Sequence, residues 1–336
     1  MPHGPALSVI LPAYNAAADI AAALDGLTRS SCQDFELFVV DDGSSDGTGE
    51  LAAAHPLKPT VIRTAHAGAS RARNAGAAAA RAPILVFLDA DVVAHPDTLA
   101  RLAAAFEDPT LDGIMGSYDD QPHHPQFLSQ YRNLMHSFYH QTGRPRASTF
   151  WAGCGALRRD AFFAVNGFAG NWKGIEDIEL GYRLNDAGKR IALDPTIRVQ
   201  HRKRWTLATM VRTDVFLRGM TWTELILRDG RMPDDLNTGT SQRISVASVA
   251  ILLLALIAGL WPISLAALAL ILALNRRIFA FFAAKRGWWF ALRTVPLFVF
   301  YLFYSGLSFA LGASKFAFER ANNRFRKSST STGLPM

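Results

Sequence analysis

Cysteine is nearly missing from this 336-residue chain: Cys32 and Cys154 are the only two, and they form no CxxC. That argues against a disulfide framework and against a thiolate zinc site. No Walker A sequence and no GxGxxG follows any apolar run, which excludes P-loop and dinucleotide-binding folds. The first residues, MPHGPALSVILPAYN, lack a basic segment ahead of a long apolar core, so they do not read as a signal peptide. Charge is absent from two long stretches, Ile244 to Leu274 and Thr294 to Ser314. Each is long enough to cross a bilayer, which takes ~20 apolar residues, and neither has the polar face of a globular helix.

What remains is half hydrophobic, with a formal charge of +7. The positive charge has a location. Arg and Lys cluster at 198–218, 276–293 and 315–327, beside the apolar stretches. Such clusters face the cytoplasm and anionic lipid, so the basic balance points to a bilayer and not to nucleic acid. Trp261-Pro262 divides the first stretch into pieces that could form a hairpin, giving three crossings in preference to two. The expected organisation is a globular domain over 1–204 and an amphipathic interfacial segment over 205–242. A membrane region over 243–315 and a basic, disordered tail over 316–336 follow. The globular part is expected on the cytoplasmic side of the inner membrane. The sequence is silent on oligomeric state.

Within the globular part, apolar strands alternate with Ala-rich helices. Strands are expected at Leu7–Leu11, Phe35–Val40, Val61–Ile62, Ile84–Leu88 and, where the pattern loosens, Phe150–Leu157, with helices at 16–29, after Ser44 through Leu51, at 68–82 and opened by Pro96 at its first position. That alternation predicts an α/β fold, a mostly parallel sheet with helices on both faces. Ligands of such sheets bind outside the carboxyl ends of the strands. Tyr14-Asn15, Asp41-Asp42 and Asp89-Asp91 all fall at those ends. In VFLDADV, Asp89 and Asp91 are separated by Ala90 alone. Two carboxylates so close repel unless a cation or strong donor lies between them. Mg²⁺ and Mn²⁺ suit such a pair, taking one or two carboxylates plus substrate phosphates. Glu176 and Asp177 begin a helical pattern running to Ala187.

Six motifs occur in order: SVILPAYN, VVDDGSSDGT, GASRARNAG, FLDADV, GCGALRRDAF and GIEDIEL. Together they resemble the inverting family 2 glycosyltransferases of the GT-A fold, over roughly residues 7–205. The resemblance implies a nucleotide-diphosphate sugar donor, commonly uridine-linked, and Mn²⁺ or Mg²⁺. It implies that Pro12, Tyr14, Asn15, Asp41 and Asp42 surround the nucleotide base. Gly68, Arg73 and Asn74 would contact the donor. Asp89 would meet the ribose or the metal, Asp91 and His201 would hold the metal, and Asp177 would be the base, with Glu176 beside it. Gly153 would line the acceptor side, and Cys154 is expected only to pack. The stretch HRKRW resembles the QxxRW of processive synthases, but His201 stands where glutamine should be. Arg204 could neutralise a phosphate, and Trp205 could stack on an acceptor. The acceptor expected is a membrane lipid or lipid-linked glycan. A processive polysaccharide synthase and a non-catalytic glycan- or nucleotide-binding partner are the alternatives.

Overall fold

The computed structural model describes residues 4–233 and 238–331, with side chains placed as far as Asn322. The chain divides into two compact units, one reaching Thr206 and the other beginning at Leu207.

The first unit is built on one eight-stranded sheet. Its strands are β1 (Leu7–Ala13), β2 (Phe35–Asp41), β3 (Thr60–Arg63), β4 (Ile84–Leu88), β5 (Val92–Ala94), β6 (Gly113–Tyr118), β7 (Cys154–Arg158) and β8 (Ile191–His201). Their spatial order is β3-β2-β1-β4-β7-β6-β8-β5. β1, β2, β3 and β4 pair in parallel. β7 runs antiparallel to both neighbours, and β5 is antiparallel to β8. The expected parallel α/β core is therefore present, extended by a mixed half. Helices α1 (Ile20–Thr28), α2 (Thr48–Ala54), α3 (Ala69–Ala79) and α4 (Thr98–Ala105) belong to the first half. Pro96 does not open α4; it precedes the Asp97 cap, and its carbonyl accepts from the Ser31 N–H.

Two apolar cores flank the sheet. Leu11, Leu24, Leu88 and Leu99 lie in one, and Ile10, Phe87, Phe150 and Phe162 in the other. This division follows strand alternation: Ile10 and Leu11 are neighbours in β1 and point to opposite faces. Glycine sets how closely α3 approaches: a Cβ on Gly76 would lie 2.5 Å from Ile10 Cγ2.

The second half supplies α5 (Phe127–Thr142), α6 (Arg159–Ala164) and α7 (Glu176–Asp186). The strand expected over Phe150–Leu157 begins only at Cys154.

In the second unit, α8 (Leu207–Val211) continues through a wider π-helical segment (Arg212–Gly219) into α9 (Met220–Asp229). The amphipathic helix expected from 205 is thus one helical run. Trp205 is not part of it and belongs to the sheet unit. Next come α10 (Thr240–Ile257), α11 (Trp261–Leu274), α12 (Arg276–Arg286) and α13 (Trp288–Ser331). α10 and α13 are each long and apolar enough to cross a bilayer; α11 and α12 qualify only together, bent by 66°. α11 alone reaches about 21 Å at 1.5 Å per residue, short of a ~30 Å hydrocarbon core. The bend falls at Asn275, which is buried. Its amide donates to Ser245 Oγ and Ile271 O and accepts from Gln242 Nε2. The disordered tail expected from 316 is corrected as far as Ser331, since α13 continues through it. An i,i+4 pairing of Lys315 with Glu319 supports the helix where this segment begins. Residues 332–336 lie outside the described residues.

Candidate active site

The rim of the parallel strands assembles the first three motifs. Ala13 pairs with Asp41 and Ile10 with Phe87, which brings the ends of β1, β2 and β4 to one edge. Pro12 sits half-buried at the end of β1, opposite Val40. Asn15 takes a positive φ of 49°; its side-chain oxygen accepts from Ser45 N–H, and its own N–H donates to Ser44 Oγ. It clasps two loops together. Asp41 is buried and accepts from Ser44 N–H at 2.9 Å.

Asp42 does more. Its carboxylate accepts from Thr64 Oγ1, from the N–H groups of Ala67 and Gly68, and pairs with His66 Nδ1 at 3.0 Å. It organises the whole loop entering α3, where Gly68 needs its left-handed φ of 95°. Above it, the Tyr14 ring stacks on His66 at 4.0 Å, and Tyr14 is 49% exposed. An open aromatic face beside ordered polar groups suits a planar base. His66 escaped the sequence reading, although it lies only two residues before the GASRARNAG motif.

Arg73 is buried between two of the motifs. Nη2 donates to Asp89 Oδ1 at 2.7 Å and Nη1 to Glu176 Oε1 at 2.8 Å. Burial works against its charge, but Asp89, Glu176 and Asp177 together raise its pKa further. Arg73 is thus a bridge inside the site and not an exposed donor contact. Asn74 is half-buried and ties α3 to the loop before α7. Its amide both donates to and accepts from the backbone of Phe168.

Asp91 faces the other way, toward β8. Its Oδ2 is 3.6 Å from His201 Nε2. Burial would push this carboxyl up, but His201 and Lys203 hold it below the usual carboxylate range. The His201 ring stacks on Tyr118 at 4.2 Å, and its Nδ1 lies 2.7 Å from Asn133 Oδ1. Among the described residues, no group of three or more His, Cys, Asp or Glu side chains converges on one point. Asp89 has its Oδ1 on Arg73, and Asp91 with His201 forms a pair able to hold a divalent ion. Neighbouring ligands on an octahedral ion at ~2.1 Å are about 3 Å apart. The pair is close to that spacing, and phosphates and water would complete the shell.

On the far side, α7 begins at Glu176. Glu176 is buried, with Oε2 accepting from Gly174 N–H. Asp177 is half-buried; Oδ2 accepts from Ala152 N–H at 3.2 Å. The adjoining Gly153 carbonyl accepts from Asp89 N–H at 3.4 Å. The segment 151–153 therefore touches the DAD motif with one residue and Asp177 with the next. Gly153 is required there, because a Cβ would lie 2.6 Å from the Trp151 indole. Cys154 is inert, its thiol pushed up to about 12 by burial.

Trp205 departs from its expected role. It is 2% exposed, and its indole N–H donates to Asn133 Oδ1, so it packs within the unit and offers no open face. Arg204 beside it is exposed.

Residues 8–164 match the family model for glycosyl transferase family 2. This segment is a family 2 glycosyltransferase domain. A validoxylamine A glucosyltransferase from Streptomyces hygroscopicus subsp. jinggangensis is 32% identical over 222 residues, 55% of this chain and 53% of that protein. A PGL/p-HBAD biosynthesis glycosyltransferase from Mycobacterium tuberculosis is 42% identical over 105 residues, 30% of this chain and 41% of that one. The chain thus spans about half the length, or less, of these relatives. Among solved structures, a mannosyltransferase from Pyrobaculum calidifontis in complex with GDP-Man and Mn²⁺ aligns with a TM-score of 0.57. It is 21% identical, with 95% of this chain and 88% of that chain covered, and shares the fold of the family 2 domain.

Proposed function

We propose that this protein is a metal-dependent, inverting glycosyltransferase. It moves a sugar from a nucleotide-diphosphate donor to a membrane-associated lipid or lipid-linked glycan. The observation that carries this reading is the segment 151–153, bonded through Gly153 to Asp89 and through Ala152 to Asp177. A single sugar placed against it would have the metal-side carboxylates at one end and a half-buried carboxylate at the other.

Inversion needs a base on the side of the sugar opposite the departing diphosphate. Asp177 takes that role and accepts the proton of the attacking hydroxyl. Glu176 is held by Arg73 and the Gly174 N–H, so it positions the start of α7. Tyr14 and His66 stack the nucleotide base over the loop that Asp42 orders. Asp91 and His201 would hold Mn²⁺ or Mg²⁺, which would supply positive charge against the leaving diphosphate. The Mn²⁺ and GDP-Man of the Pyrobaculum calidifontis structure support both a metal and a guanosine donor, so uridine donors are not the sole candidates.

The second unit anchors the chain in the bilayer through α10 and α13, with the α11–α12 pair forming the third crossing. Its apolar side chains are widely exposed, Ile257 at 86% and Trp288 at 78%. Lys285, Arg286 and Arg293, around the turn between α12 and α13, favour the cytoplasmic surface of the inner membrane for that turn. This location favours a lipid-linked acceptor.

The test is nucleotide diphosphate release from a panel of uridine-, guanosine- and thymidine-linked sugars, using the full chain with lipid extract. Release from one donor should need Mn²⁺ or Mg²⁺ and should vanish in Asp91→Asn and Asp177→Asn. No release from any donor would favour a binding partner. Release surviving Asp177→Asn would remove Asp177 as the base.

A further inference from the structure

The helix α5 carries polar side chains into the interior, and Asn133 is among them, 1% exposed. Its amide has three groups around it. Oδ1 accepts from Trp205 Nε1–H at 2.8 Å and lies 2.7 Å from His201 Nδ1. Nδ2 donates to the Lys203 carbonyl at 3.1 Å. Two of these partners can act in one way only: an indole N–H donates and a backbone carbonyl accepts. The amide therefore has one permitted orientation, with Oδ1 toward the imidazole. An amide oxygen cannot donate, so Nδ1 of His201 must carry a proton. When the ring is neutral, the lone pair is then on Nε2, the nitrogen aimed at Asp91.

We propose that Asn133 is a positioning residue that fixes His201 in the metal-binding tautomer, and that Trp205 and Lys203 lock Asn133 in turn. The inference rests on the metal reading given above. Without Asn133, the proton can sit on Nε2 and meet the Asp91 carboxylate, which closes the ligand position. Metal-ligating histidines commonly donate their other N–H to such a partner, and losing it typically costs 10–100-fold in metal affinity. The residues that close HRKRW thus act from behind the site: the tryptophan aims a histidine instead of stacking on a sugar.

The experiment uses the full chain labelled with ¹⁵N-histidine, with His201 assigned by its loss in His201→Gln. Nitrogen shifts read the tautomer without metal. Mn²⁺ binding is read separately, by electron paramagnetic resonance with a nucleoside diphosphate present. Wild type should show the Nδ1–H form at neutral ring. Asn133→Ala should shift it toward Nε2–H and weaken Mn²⁺ about 10–100-fold. Asn133→Asp keeps an accepting oxygen and should retain the Nδ1–H form, which also controls for misfolding in the alanine variant. An Nε2–H form in wild type, or a tautomer and Mn²⁺ affinity unmoved in Asn133→Ala, would overturn the inference. A wild-type chain with the Nδ1–H form but no Mn²⁺ binding would overturn the metal reading instead.

Discussion

Arg73 is a buried cation with two carboxylates on it, one from the DAD motif and one from α7. Removing one partner of a buried ion pair leaves the others uncompensated, which costs on the order of 3–5 kcal/mol. Arg73→Met should therefore lower unfolding stability by about that much, as measured by urea denaturation of the full chain. Arg73→Lys keeps the charge but cannot reach both acids with a planar fork. It should stay folded and lose most transfer activity, because α7 and the DAD motif are no longer tied. Equal stability of Arg73→Met and wild type would show that the bridge holds nothing together. At this same scale, the motif residues were legible but their duties were not. Asn74 and Asp89 carry the same kinds of groups whether they face a ligand or a neighbour. Only their partners 94 and 16 residues away decide which.

At the scale of elements, α7 depends on a missing side chain. A Cβ on Gly181 would collide with the backbone of Thr149 and Phe150. Backbone cannot swing aside as a side chain can, so Gly181→Ala should push α7 outward and cost about 1–3 kcal/mol. It should also reduce transfer activity more than donor binding, because Asp177 rides on that helix. A thermal melt and a donor titration together check it. The β1–β2 pair carries a pH-sensitive link. Burial would raise the Glu36 carboxyl, but Ser8 Oγ and Arg81, together with the Ala82 N–H, hold it below its ordinary value. A depressed acid stabilises the fold above its unfolded-state pKa and loses that contribution as pH falls through the folded value. Melting temperature should fall between about pH 5 and pH 3, and Glu36→Gln should flatten that part of the profile. Identical acid profiles would dismiss the link.

The elements that sequence reading found are those with an unambiguous period: β1, β2, β4, α1 and α3 alternate or repeat as strands and helices do. Those it passed over lack one. β6 reads GIMGSY with two glycines, β5 is three residues long, and β8 carries Asp194-Pro195 in its middle. α5 buries Ser129, Gln130, Arg132 and Asn133 along with Tyr131, Leu134 and Met135, so no apolar stripe stands out from a polar face.

For the whole molecule, the decisive property is where it resides. The full chain should remain in the membrane pellet after an alkaline carbonate wash, which strips proteins held by charge alone. Release into the supernatant would reduce the second unit to a peripheral, lipid-facing surface and would remove α10 and α13 as spans. The sequence by itself determined the things that depend on local order along the chain. These are the two charge-free stretches, the strand ends bearing Asp41-Asp42 and Asp89-Asp91, and the six motifs in series. Composition and period are written in consecutive residues, so no folding is needed to read them. Only the tertiary structure decided which charged and polar groups meet. Arg73 lies 103 residues from Glu176, His201 lies 68 from Asn133, and Trp205 lies 72 from the amide that receives its N–H. Such pairings follow from how the strands are ordered in the sheet and how α5 packs on it. Hydrogen-bond donors and acceptors in the interior must be matched there, and that matching set the duty of each residue in the site.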